Sequence, residues 1–144
     1  MVGCMVNPLW AQQMYNIQYN TFFKALADVE SGGNDRAIGS KGEVSAFQIL
    51  PSIWNAHSDM PCSLYHVQNR TKSIRVARKL NSYNLCVYKK DTGNLPQAYD
   101  MYVMWNYGVT KYKKMGYDRT KLPKKVKERA ERFINTLQIY EQKH

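Results

Sequence analysis

Glu30 is the residue whose setting points most directly to acid–base chemistry. It stands on the last turn expected of an apolar helix, just before Gly32-Gly33, with Phe47 and Ile49 in the segment that follows. Apolar walls disfavour the ionised form of a carboxyl by desolvation, so its pKa rises and it can keep a proton near neutral pH. Such a group can protonate a poor oxygen leaving group. Gln48 and Asn106 add neutral hydrogen-bonding groups that could orient a polar substrate without lowering the acid's pKa as a lysine would. Glu43 is a second carboxylate on the same segment. Each residue also has a plainer reading: Glu30 and Glu43 as solvated carboxylates, Gln48 and Asn106 as caps of local backbone, and Asp35 as a turn former.

The pattern matters more than any single residue. Glu30-Ser31 is followed by Asn34, Gly42 and then Gln48-Ile49-Leu50-Pro51, and a later block reads Trp105-Asn106-Tyr107-Gly108. These two blocks, in this order, resemble the signature of the soluble lytic transglycosylases and their lysozyme-like relatives. The resemblance spans roughly residues 15–140. It implies a mainly α, lysozyme-like fold (α+β in lysozyme classifications), as one domain over residues 1–144 with a groove and a loosely ordered 1–9 terminus. It also implies cleavage of the MurNAc-β-1,4-GlcNAc bond of peptidoglycan with Glu30 as general acid and base. Ser31, Ser45, Phe47, Gln48, Tyr102 and Asn106 are then expected to bind the glycan. No metal or other cofactor is expected. Three departures stand out: Gly39 replaces the family's usual Ser, Ser45-Ala46-Phe47-Gln48 replaces Gly-Leu-Met-Gln, and Trp105 and Tyr107 replace Tyr and Ala.

Two outcomes remain open within the resemblance. In the lytic route Glu30 works alone and the muramyl 6-hydroxyl closes a 1,6-anhydro ring. In a hydrolytic, lysozyme route a second carboxylate steers water, and inverting enzymes hold such a pair about 6.5–9.5 Å apart. Glu43 is the candidate, because lytic transglycosylases usually carry Ala there and the related goose-type lysozymes carry Asp. The lytic product is the favoured expectation. Tyr99, Tyr102 and Trp105 are expected in the core before they are expected as sugar platforms.

Helices must hold these residues. Trp10, Met14, Ile17, Phe22, Leu26 and Val29 recur at near-helical steps, predicting a helix over Trp10–Ser31 that Gly32-Gly33 ends. Residues 32–47 carry four of the eight glycines and read as a loop with a short hairpin. Pro51 opens a short helix through Trp54, and 56–68 reads as irregular. A helix is predicted over Thr71–Tyr88 with Ile74, Ala77, Leu80 and Leu85 inward. Pro96 opens an aromatic helix ending near Asn106–Gly108. Pro123 opens the last, with Val126, Ala130, Phe133, Leu137 and Tyr140 on one side and cations on the other.

At 144 residues with 44% hydrophobic and 22% charged side chains, the composition is that of a globular domain. Residues 1–60 carry three basic and five acidic groups, so the net +10 is concentrated in the remainder, with ten Lys/Arg between Lys111 and Arg132. That half suits a polyanion: the bacterial wall, anionic lipid or nucleic acid. Nucleic acid is not expected, since it leaves the 30–51 motif unexplained. A non-catalytic wall-binding or scaffold domain is the other competitor. The resemblance places the work in the periplasm or outside the cell, as a monomer, with secretion, conjugation or phage machinery as partners. Met1–Ala11 lacks the features of a complete export signal. In an oxidising compartment Cys62 and Cys86 would pair and leave Cys4 free; three idle thiols fit equally well. His57 and His66 flank Cys62 but match no zinc spacing.

Overall fold

The computed structural model describes residues 21–143, and the expectations for residues 1–9 and for the start of the Trp10–Ser31 helix lie outside them. The architecture is mainly α. In chain order it runs α1 (21–31), α2 (Pro51–His57), α3 (Leu64–Val67), α4 (Arg70–Thr92), α5 (Ala98–Val103), a π-helical turn (Met104–Gly108), α6 (Val109–Lys114), a 3-10 turn (Arg119–Lys121) and α7 (Lys124–Gln142).

The first helix is the centre of the core. Phe22, Phe23, Ala25, Leu26, Ala27 and Val29 are all buried, so α1 is covered nearly all round rather than along one face. It ends as its glycines require: Gly32 takes φ +65° and its N–H reaches Asp28 O at 2.8 Å, while the Gly33 N–H reaches Ala27 O at 3.1 Å. The 32–47 loop contains the expected tight turn. Gly39 N–H donates to Glu43 O, and Val44 and Ile49 exchange both backbone bonds, all at 2.8 Å. Arg70, at the start of α4, staples this loop by donating to Asp35 Oδ1 at 2.6 Å and Gly33 O at 2.8 Å. Asp35 therefore does more than shape a turn.

Several boundaries depart from the sequence reading. Segment 56–68 is not wholly irregular: α2 continues to His57, and the single turn α3 follows, too short to show a period. The long helix starts at Asn69, whose side chain accepts from Lys72 N, and runs to Thr92. Its inward face includes Ser73, Val76, Asn81 and Asn84 beside Ala77 and Leu85, whereas Ile74 and Leu80 are only half-buried. Pro96 lies outside the aromatic helix; Gln97 caps α5 through a reciprocal pair with Asp100. That helix does break at Asn106–Gly108, but as a π-helical turn after which α6 resumes.

Helix α7 packs chiefly on α5 through Val126, Ala130, Phe133 and Leu137. Tyr140 is half-buried and its hydroxyl donates to Asp28 Oδ2 at 3.2 Å, tying the end of α7 to α1. Each fully buried large side chain contributes about 1.5–3 kcal/mol of transfer free energy. The most buried of them are Trp54, Tyr102, Tyr112, Phe23, Phe47 and Phe133. Cys62 is a free thiol and Cys86 is disulfide-bonded, so the expected Cys62–Cys86 pairing does not occur.

Candidate active site

The end of α1, the 39–50 segment, α2, α4, the π-helical turn and α7 enclose a cleft of about 540 Å³. Glu30 lies in it with its side chain only 8% exposed. The Tyr102 hydroxyl donates to Glu30 Oε1 at 2.6 Å. Arg129 Nη2 stands 3.6 Å from Glu30 Oε2, and Arg129 Nε donates to the Tyr102 oxygen at 3.3 Å. Burial pushes the Glu30 carboxyl above its ordinary value; the Tyr102 hydrogen bond and the Arg129 charge pull against that rise, and the nearby Glu43 charge adds to it. The net direction is upward. Burial and the neighbouring carboxylate likewise push Tyr102 up, so it keeps its proton and remains a donor.

Tyr102 is held for this task. Its ring stacks on Phe133 with centroids 4.8 Å apart at 17°, and it is fully buried apart from the contact its hydroxyl makes. One turn later the π-helical segment carries Trp105 and Asn106 to the cleft wall. Such turns insert an extra residue and re-aim the side chains that follow. Trp105 is half-buried and anchored by its indole N–H to Phe47 O at 3.2 Å, so it is part wall and part cleft surface. Asn106 is exposed on that wall.

The loop residues divide into two groups. Gln48 and Glu43 line the cleft. Gln48 commits its amide protons to Ser45 O at 2.9 Å and Ala37 O at 3.3 Å, which leaves it only an acceptor to offer a ligand. Glu43 Oε2 accepts from Lys41 N at 3.1 Å. Gly39 lies so close to both that a methyl at that position would fall onto the Glu43 carboxylate and the Gln48 carboxamide. Ser45 and Phe47 serve instead beneath the surface, and the half-buried Ser31 ties the loop to α1. The Ser31 hydroxyl bonds Ala46 O at 2.7 Å and accepts from Asn34 N at 3.1 Å, clamping loop to helix. Ser45 and Phe47 are both 0% exposed, and the Ser45 hydroxyl accepts from Phe47 N. Glycan contact by Ser45 and Phe47 is thereby corrected: their bulk and hydrogen bonds shape the wall under the cleft.

Arg129 was missed in the sequence because it belongs to a run of cations that reads as one solvated face. Its register was the available signal, since it falls three residues after Val126 and four before Phe133, on the inward side of α7. The basic cluster is in fact heterogeneous. Arg119 pairs with the buried Asp100 at 2.9 Å, which also accepts from the Tyr112 hydroxyl at 2.7 Å, and Lys113 pairs with Asp91 at 3.3 Å. A separate concavity of about 500 Å³ between α4 and the loop after α2 is lined by Asp59, Arg75 and Lys79 among others, and it holds none of the expected site residues. Among the described residues no three His, Cys, Asp or Glu side chains converge as a metal site. His66 Nδ1 instead pairs with the Ser63 hydroxyl at 2.8 Å.

Comparison with known families closes the assignment. The Transglycosylase SLT domain matches residues 8–126, most of the chain, and the protein belongs to that family of peptidoglycan-cleaving lytic transglycosylases. No curated protein and no solved structure matches the chain. The mainly helical architecture and the cleft built on the two sequence blocks accord with that membership.

Proposed function

We propose that Glu30 is the general acid and base of this enzyme and that the product carries a 1,6-anhydroMurNAc end. The observation that supports this most is the carboxyl itself, almost enclosed yet lining the cleft, with burial holding it towards its neutral form. The Tyr102 proton occupies Oε1, so Oε2 is the oxygen that would carry the proton to be transferred to a bound glycosidic oxygen. Protonation by Oε2 lets the C1–O bond of MurNAc break and the GlcNAc 4-hydroxyl leave. The carboxylate formed then takes the proton from the muramyl 6-hydroxyl as that oxygen closes on C1, which restores the acid. Neutral groups at Asn106 and Gln48 orient the acetamido arms.

A hydrolytic alternative is favoured by one observation, the position of Glu43 on the same cleft and close enough to raise Glu30 electrostatically. Digesting purified peptidoglycan and weighing the ends by mass spectrometry separates the two, since anhydro ends are lighter by one water than reducing ends. Glu30→Gln should abolish clearing in a zymogram; retained clearing removes Glu30 from the role. Glu43→Ala should leave anhydro products intact if the lytic reading holds.

The wall lies outside the cytoplasmic membrane, and we place the enzyme in the periplasm or beyond it. The disulfide at Cys86 supports an oxidising compartment. No helix among the described residues is long and apolar enough to cross a membrane.

A further inference from the structure

The cation beside Glu30 is at odds with the work of an acid. Arg129 meets Oε2, the oxygen that must bind the transferable proton, while Tyr102 takes Oε1. A positive charge there favours the ionised carboxyl and opposes proton uptake. Arg129 is also the more accessible partner: its side chain is 46% exposed and lines the cleft, whereas that of Glu30 is 8% exposed. Its contact with Oε2, at 3.6 Å, is an ion pair longer than a good hydrogen bond. Two further cations, Lys41 from the loop and Lys125 from α7, line the same cleft. The other charged or titratable groups facing Glu30 are Tyr102 and Glu43; Trp105 and Asn106 are neutral, and α2 and α4 present Ile53 and Leu80.

Resting on Glu30 as the acid, we propose that Arg129 is an exchangeable counter-ion: it covers Oε2 in the free enzyme and is drawn away by a carboxylate of the incoming glycan. Peptidoglycan offers carboxylates that a neutral polysaccharide lacks, either on the stem peptide or, where the peptide has been removed, on the lactyl group of muramic acid. The Arg guanidinium suits such a handover because it can form a two-pronged bond with a carboxylate. Lys41 and Lys125 raise the local concentration of the anion. The consequence is selectivity by charge: an anionic strand releases the acid more readily than a neutral one. Arg129 lies beyond residues 8–126, where the family match ends.

The test compares sonicated peptidoglycan with the same material after its carboxylates are converted to amides, alongside amidase-stripped strands in both forms. Wild type should cleave the anionic form about tenfold faster, within the roughly 5–150-fold range typical of coupled sites. Arg129→Gln should erase that preference and move the alkaline limb of its kcat/KM profile to higher pH. Arg129→Lys should retain part of the preference, and Arg132→Gln, which removes the same charge from an exposed position on α7, should retain all of it. Preference lost on the peptide-bearing pair identifies stem carboxylates; on the stripped pair, the lactyl group. A wild type indifferent to amidation, or an Arg129→Gln enzyme that keeps the preference, overturns the proposal. Failure of the underlying reading shows separately, as clearing by Glu30→Gln.

Discussion

Tyr102→Phe removes one hydroxyl from a nearly closed site. The ring that stacks on Phe133 is retained, so the loss is the hydroxyl with its 2.6 Å bond to Glu30 Oε1 and the weaker 3.3 Å bond it accepts from the half-exposed Arg129. A hydrogen bond to a charged group is worth about 1.5–3 kcal/mol net, and one between neutral groups about 0.5–1.5. The cost therefore depends on whether Glu30 is ionised. Tyr102 favours the ionised form, so its removal raises a folded-state pKa already above the unfolded value. The native state then holds the proton more tightly than the unfolded chain, and stability falls as pH rises through that folded value. At about 3 °C per kcal/mol for a domain of this size, melting should drop by about 5–9 °C at a pH above the Glu30 titration, where the carboxyl is ionised, but only about 2–4 °C at pH 4. The alkaline limb of kcat/KM, which reports the free enzyme's acid, should move upward. Calorimetry at the two pH values and a pH–rate profile on soluble peptidoglycan provide the measurements. An equal loss of stability at both pH values, or a limb that stays put or moves down, would refute the reasoning.

Other expectations follow from the same contacts. Glu30→Gln should be more stable than wild type at neutral pH, because burial disfavours the native carboxylate; the gain grows by about 1.4 kcal/mol per unit of pKa elevation and should vanish below the ordinary glutamate value, as thermal melts across pH would show. Gly39→Ala should cost under about 1 kcal/mol, since the methyl meets the ends of flexible side chains, yet displace Glu43; mass spectrometry of its digest should match that of Glu43→Ala. Asp100→Ala should be destabilising by about 1–3 kcal/mol, because it leaves the buried Tyr112 hydroxyl without its acceptor while the half-exposed Arg119 turns to solvent; urea titration reads this directly.

How far the sequence could be read depended on the range of the forces involved. Glu30, Gly32, Gln48 and Pro51 were legible because their spacing answers to local backbone: a helix end, a left-handed residue, a tight turn and a helix start. Their meeting with Asn106 was legible only through the family pattern, because nothing local joins the two blocks. Arg129 was hidden since its role arises from the packing of α7 on α5, and it sits in a charged stretch with Lys127, Glu128 and Glu131. The burial of Ser45 and Phe47 was equally hidden, for a loop residue carries no period from which an inside and an outside can be told. The buried Asn81 and Asn84 defeated a hydrophobic pattern that favoured Ile74 and Leu80. Cysteine spacing suggested Cys62 with Cys86, beside the alternative of idle thiols, and the suggestion failed because a disulfide is decided by which α-carbons approach in space.

The crowding at Gly39 has an evolutionary corollary. One small volume beside Glu30 admits a side chain at position 39 or a long carboxylate from position 43, and here the carboxylate has it. A Ser at position 39 with an Ala at position 43 would fill the same space from the other side. Exchanging one solution for the other therefore takes two compensating substitutions, and either taken alone passes through an overfilled or a hollow intermediate. The two sites should therefore couple in a double-mutant cycle, a side chain at position 39 being tolerated better once position 43 is Ala.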